Sequence, residues 1–218
     1  LDDHNIMIHL YRKIIDAQFK ANDETIYNTY YELAQYYKSQ GDYNNYESNI
    51  KMSLTTCLKT GSNMPLCKIY EDYANFQTIK GNNSIAVEYY DKSIRLFESN
   101  TSLISLKLKL QIGKSNVLIK LEKYLEASEL LEQIYINMVK YKLSIYKSRK
   151  YAYLSIICLI LASTDLGKAR DKLNYFVDFD NGLNFSGEHK SIIKMFDYIL
   201  LIPVYFVPNP RPCSPTPT

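Results

Sequence analysis

Short turn signals recur along this chain at intervals of about forty residues: Gly41-Asp42-Tyr43, Gly81-Asn82-Asn83, Leu121-Glu122-Lys123-Tyr124 and Thr164-Asp165-Leu166. Between them, apolar residues return every three or four positions. Ile85, Ala86, Tyr89, Tyr90, Ile94 and Phe97 do so over 83–98, and Tyr124, Ala127, Leu131, Ile134 and Met138 over 123–139. That period marks a helix with one buried face. Pro65 is the only proline before residue 200, so almost nothing interrupts the helices. The pattern predicts helices near 4–20, 23–39, 43–59, 64–79, 84–98, 102–120, 123–139, 144–162, 166–177 and 188–201. Asn22 or Asp23, Asp42, Ser84, Ser102 and Asp165 are the expected N-caps.

Small residues keep step with the turns. Ala34, Ala74, Gly113 and Cys158 stand before them, and Ala86, Ala127 and Ala169 after them; Tyr46 stands where the first repeat calls for an alanine. A small residue on each arm lets two helices approach closely. The expected fold is therefore all-α, a TPR-like α-solenoid of stacked helical hairpins with a repeat of about 40 residues. A tetratricopeptide unit has about 34 residues, so each helix here is longer by most of a turn. The helical-repeat domain is expected over residues 1–202. Residues 203–218, with prolines at 203, 208, 210, 212, 215 and 217, read as a proline-rich disordered tail.

Composition narrows the function classes. The formal net charge is +3, too mild to argue for nucleic acid without a clustered basic face. Cys57, Cys67, Cys158 and Cys213 form no C-x-x-C pair, and His4, His9 and His189 have no ligand-spaced partner. A reducing, cytoplasmic setting is expected, with no metal and no cofactor. Leu154–Ala162 is under half of the ~20 apolar residues that span a bilayer; it reads as a helix buried on most sides. No phosphate loop, G-x-S-x-G or H-E-x-x-H occurs, and Glu126, Glu129 and Glu132 stand at the spacing of a solvated helix face. The chain is not expected to be an enzyme.

Cations do gather. Lys140, Lys142, Lys147, Arg149 and Lys150 lie around a helix–helix turn with Leu143 and Tyr146 among them, and Lys107, Lys109 and Lys114 lie one repeat earlier. The bland reading is a solvated loop with ordinary lysines. The functional one is a positive rim suited to an acidic protein partner. Exposed pairs contribute only ~0–1 kcal/mol each, so a grip of this kind needs many contacts.

From Gly61 to Phe185 the order of features resembles the SNAP family, the soluble NSF attachment proteins, in its gamma type. The cues are Gly61 through Lys68, the run Asn83-Ser84-Ile85-Ala86-Val87-Glu88-Tyr89-Tyr90, then Leu121-Glu122-Lys123-Tyr124-Leu125-Glu126-Ala127. Lys168-Ala169-Arg170, Asp178-Phe179 and Asn184-Phe185-Ser186-Gly187-Glu188 follow. The resemblance implies an adaptor that wraps a SNARE four-helix bundle in several copies and recruits the AAA ATPase NSF, hydrolysing nothing itself. It also implies peripheral contact with membranes. Lys68 and Lys109 match basic SNARE-contacting positions on the inner face, Leu143 and Tyr146 match a Leu-x-x-Tyr pair, and Arg149 matches a basic position three further on. Ser62 stands where a basic residue is expected. Residues 1–20 lack the family's apolar membrane loop. Past Phe196, where the family continues to an acidic, leucine-ending tail that engages NSF, Ile199-Leu200-Leu201-Ile202-Pro203 leads into prolines. A divergent or truncated C-terminus is expected, and NSF engagement is less directly implied than SNARE binding. The alternative is a general TPR-like interaction scaffold unrelated to membrane fusion.

Overall fold

The computed structural model describes residues 3–98, 101–162 and 165–201. The tail expected over 203–218 lies outside them. Among the described residues ten helices follow one another: α1 (Asp3–Lys20), α2 (Ile26–Ser39), α3 (Tyr43–Thr60), α4 (Asn63–Ile79), α5 (Asn83–Arg95), α6 (Ile104–Lys120), α7 (Tyr124–Lys140), α8 (Ile145–Ala162), α9 (Leu166–Phe179) and α10 (Gly187–Leu201). Short 3-10 turns, Thr101–Leu103 and Asn181–Phe185, precede α6 and α10. No strand occurs among the described residues.

The forty-residue turn has one chemistry. Gly41 (φ 76°), Gly81 (φ 83°) and Glu122 (φ 58°) all adopt the left-handed conformation just past a helix. The next N–H then closes back on a carbonyl five residues earlier: Asp42 to Tyr37 and Asn82 to Gln77 at 2.9 Å, Lys123 to Leu118 at 3.0 Å. This Schellman closure satisfies carbonyls that a helix end leaves bare. Asn22 and Lys142, with φ of 50° and 54°, close α1 and α7 in the same way. Glycine adopts this shape freely, whereas a residue with a Cβ is disfavoured there by about 1–2 kcal/mol.

Two expected caps form: Asp42 accepts from Asn45 N at 3.1 Å and Asp165 from Lys168 N at 3.3 Å. Elsewhere the chain solves the problem differently. The cap position of α5 is Asn82, not Ser84, and its amide donates back to Gln77 Oε1 at 2.8 Å. Asp23 accepts from Thr25 N at 2.8 Å and holds the turn before α2 rather than capping the helix. Ser102 lies in the 3-10 turn.

Neighbouring helices pack in sequence, most densely as α2 with α3, α4 with α5, and α7 with α8. The sequence places the later hairpins at α6–α7 and α8–α9; the tightest late pairing is instead α7–α8. Ser128 and Ser155 explain the shift. Each hydroxyl donates to the other's backbone carbonyl at 2.8 Å, and both residues are fully buried. Side chains this small let the two backbones meet. Ser53 reaches Tyr27 O at 2.8 Å in the α2–α3 pair, and Ser93 reaches Cys67 O at 3.2 Å in the α4–α5 pair. The two contacts are forty residues apart at both ends.

The phased alanines Ala34, Ala74, Ala86, Ala127 and Ala169 are wholly buried. Tyr46 is buried too, its ring 4.4 Å from that of Phe76, so the aromatic fills space that an alanine would close. Apolar contact continues through three clusters, centred on α2–α4, α4–α6 and α6–α10. Ile156 and Cys158 in the apolar run of α8 are buried, but Leu161 at its end is exposed. Among the described residues, no helix is long and apolar enough to cross a membrane and no side-chain group is arranged to hold a metal ion.

Candidate partner-binding face

Lys68 on α4, Lys109 on α6 and Arg149 on α8 follow one another at 41 and 40 residues, so they share one repeat phase. The first two make equivalent contacts. Lys68 Nζ lies 4.8 Å from the ring centre of Tyr31 on α2. Lys109 Nζ lies 2.7 Å from Glu71 Oε1 on α4. Tyr31 and Glu71 are themselves forty residues apart. Each lysine thus leans back to the same position on the preceding hairpin. The Tyr31 hydroxyl donates to Asp72, beside Glu71, and so ties α2 to α4. Burial, and then the bond to Asp72, push this hydroxyl well above the usual tyrosine range, which keeps it a donor.

These lysines remain available. Lys109 is 65% exposed while its partner Glu71 is 15% exposed. An exposed pair of this kind is worth only ~0–1 kcal/mol, so a partner's carboxylate competes for the lysine easily.

Arg149 behaves differently. It turns forward to Asp180 at the end of α9, with Nε 2.8 Å from Oδ2 and Nη2 3.1 Å from Oδ1. The side chains are 20% and 13% exposed, and this pairing raises the guanidinium's pKa further. Asp180 also accepts from Gly182 N at 3.0 Å, and a Cβ on Gly182 would run into the guanidinium. Arg149 therefore clamps α8 to the turn after α9. The position one repeat earlier on α6 that Arg149 would lean back to is Gln111, a buried amide that offers no charge.

Leu143 follows the left-handed Lys142 and donates its N–H to Met138 O at 2.8 Å; its half-buried side chain packs on the C-terminal core. Tyr146 occupies the first turn of α8, and its side chain lies outside the described residues. Lys140 and Lys150 spread over Tyr141 and Tyr151, at 5.7 and 4.8 Å from the ring centres. The structure therefore brings Lys68 and Lys109 together on adjacent helices. Leu143 and Tyr146 lie at the α7–α8 corner, and Arg149 lies inside a clamp.

The sequence reading missed an acidic centre between α3 and α4. Glu47 on α3 accepts from Tyr73 at 2.8 Å and from Lys80 at 3.1 Å, and pairs with Lys51 at 3.3 Å. Burial works to raise its pKa, but these donors outweigh burial and hold the carboxyl down to about 2. The repeat phase of the alanines carries the polar signal too: it pairs Tyr31 with Glu71 and Lys68 with Lys109.

The solved structures that resemble this chain share its architecture. One is a Podosopora anserina protein of nearly identical TPR-like repeats, described as a kinesin light chain. It is 18% identical, with a TM-score of 0.59 over 78% of this chain and 84% of that one. A single-substitution form of the same kind of protein gives 17% identity and a TM-score of 0.58 over 84% and 89%. At such identities the likeness speaks for the fold, a TPR-like α-solenoid. No curated protein sequence matches the chain. The family model for soluble NSF attachment protein, SNAP, matches residues 9–199. The chain belongs to the SNAP family, a family of adaptors.

Proposed function

We propose that this chain binds assembled SNARE four-helix bundles and recruits an NSF-type AAA ATPase for their disassembly in vesicle-mediated transport. It acts in the cytoplasm, peripherally on membranes, and leaves ATP hydrolysis to its partner. The observation that carries this reading is the paired row of Lys68 and Lys109, exposed on adjacent helices of a SNAP-family solenoid. Leu143 and Tyr146 add an apolar and an aromatic contact at the α7–α8 corner. Arg149, which the resemblance makes a basic contact beside them, holds α8 to the turn after α9 through Asp180. A rod-like partner with acidic ridges meets such a surface through many weak contacts, and several copies acting together supply the avidity.

The test is a pull-down and titration against an assembled SNARE complex, with and without NSF, across a range of salt. Lys68→Glu with Lys109→Glu is expected to weaken binding by about tenfold or more and to flatten its salt dependence. Unchanged binding in that double variant removes the assigned face. Capture of short peptides with no affinity for the folded bundle would favour the general TPR-like scaffold that the neighbouring structures also fit.

A further inference from the structure

Toward the C-terminal ends of α4 and α6 lies an open groove of about 550 Å³. Asn75 and Thr78 line one wall, Asn116 and Lys120 the other, and Tyr90 lines it from α5. Tyr90 fits there because residue 113 is glycine: a Cβ on Gly113 would stand 2.6 Å from the Tyr90 ring.

The groove is dressed with amides. Asn75 and Asn116 hold one repeat phase, 41 residues apart, and both are accessible from the groove. Tyr90 Oη donates to Asn75 Oδ1 at 2.6 Å. Burial, and then the charge of Glu71, push that hydroxyl up to about 12, so it stays a donor. The bond fixes the Asn75 amide and leaves its Nδ2 without a partner among the described residues. The Asn116 side chain makes no hydrogen bond among them either. Gln35 has the same phase on α2, and its Nε2 is a buried donor with no partner among them. Lys120, one helical turn past Asn116, is exposed and forms no ion pair among the described residues.

A primary amide carries a donor and an acceptor side by side, the same pair that a peptide unit presents. It therefore reads an extended backbone without regard to side chains. A helix cannot be read this way, because its N–H and C=O groups are already bonded to each other. An unpaired ammonium at the end of the groove adds a preference for a carboxylate. We propose that this groove holds an extended, acidic polypeptide segment by its backbone, through Asn75 and Asn116, with Lys120 taking an acidic side chain. Asn75 and Asn116 each stand seven residues, two helical turns, after Lys68 and Lys109, so the groove continues the face of the lysine row and is selective for a different conformation of partner.

The test uses the full chain and fluorescence anisotropy with a labelled decapeptide of alternating Glu and Thr, whose β-branched residues favour an extended form. Two companions accompany it: the same peptide N-methylated along its backbone, and one with Lys in place of Glu. Asn116→Ala and N-methylation are each expected to weaken binding about tenfold, the effect of about one lost hydrogen bond. Lys120→Glu should abolish the preference for Glu over Lys. The Lys68→Glu, Lys109→Glu double variant keeps both amides and should keep the roughly tenfold penalty of N-methylation, whatever the changed charge does to the affinity itself. Three results overturn the proposal: binding indifferent to both Asn116→Ala and N-methylation, loss confined to the Lys68 and Lys109 variant, or no binding at millimolar peptide. None of them bears on capture of a folded SNARE bundle by the lysine row.

Discussion

The two ends of this solenoid follow one hairpin logic but are held by different forces. Over α2–α5 the ties between hairpins run through tyrosines and carboxylates: Tyr31 to Asp72, Tyr73 to Glu47, and Glu47 to Lys80. Over α7–α10 the interior is aliphatic and aromatic, with Ile134, Tyr135, Ile156, Leu173, Phe176 and Phe196 fully buried. Two cations there, Arg149 and Lys172, are turned inward as well. Lys172 lies 2.7 Å from Glu132 and 3.1 Å from Ser128 Oγ, with its side chain only 16% exposed. Polar ties near a surface leave cations free to change partners, whereas cations sealed against a core cannot. The first region accordingly holds its hairpins by ties that can open, and the second by a packed interior.

The sharpest way to separate the regions is to hollow out one of them. Phe176→Ala should cost about 3–5 kcal/mol. Because a stacked repeat is stabilised mainly by nearest neighbours, hydrogen exchange should show lost protection over α7–α10 and retained protection over α2–α5. Equal loss in both would make the chain a single cooperative block and erase the comparison.

Acid should reverse the order. Glu47 titrates at about 2 in the fold against 4.5 for the ordinary carboxyl. Its contribution is therefore complete above about pH 4.5 and is lost as pH falls toward 2. Glu47→Gln should cost about 1–2 kcal/mol at neutral pH and remove part of that acid sensitivity, measured by urea melts at stepped pH. An unchanged acid profile would assign the sensitivity elsewhere.

The smallest contrast comes from two hydroxyls. Tyr73 donates to Glu47 at 2.8 Å, so Tyr73→Phe should destabilise by about 1–2 kcal/mol. The buried Tyr135 hydroxyl has no partner among the described residues, so Tyr135→Phe should be neutral or slightly stabilising. Matching losses in the two variants would deny that the halves differ in their use of polar groups.

Much of the fold was legible because helix period and turn residues are local signals. All ten expected helices occur, and the glycine turns at 41 and 81 form as their chemistry requires. What escaped was long-range. Glu122 and Lys142 adopt a glycine-like conformation that no local propensity announces. The dense α7–α8 pairing rests on Ser128 and Ser155, ordinary residues until they face each other. For the site, charge spacing brought out Lys109 and the α7–α8 cluster, and family resemblance added Lys68 and the individual roles. The clamp on Arg149 depends on Asp180, which is 31 residues away and sits at a helix end rather than on a face that periodicity reveals.

The serine-to-carbonyl bonds have a mechanical consequence. Ser53 and Ser93 each anchor a hairpin internally, while the α3–α4 seam between those hairpins packs more sparsely and has no serine bond of this kind among the described residues. That seam is joined by side chains instead, Tyr73 and Lys80 both reaching Glu47, so each hairpin is closed from hydroxyl to backbone while its neighbour is held tip to tip. Long side chains rotate where a hydroxyl locked onto a carbonyl does not, so a small change of angle between hairpins would leave the interior of each undisturbed.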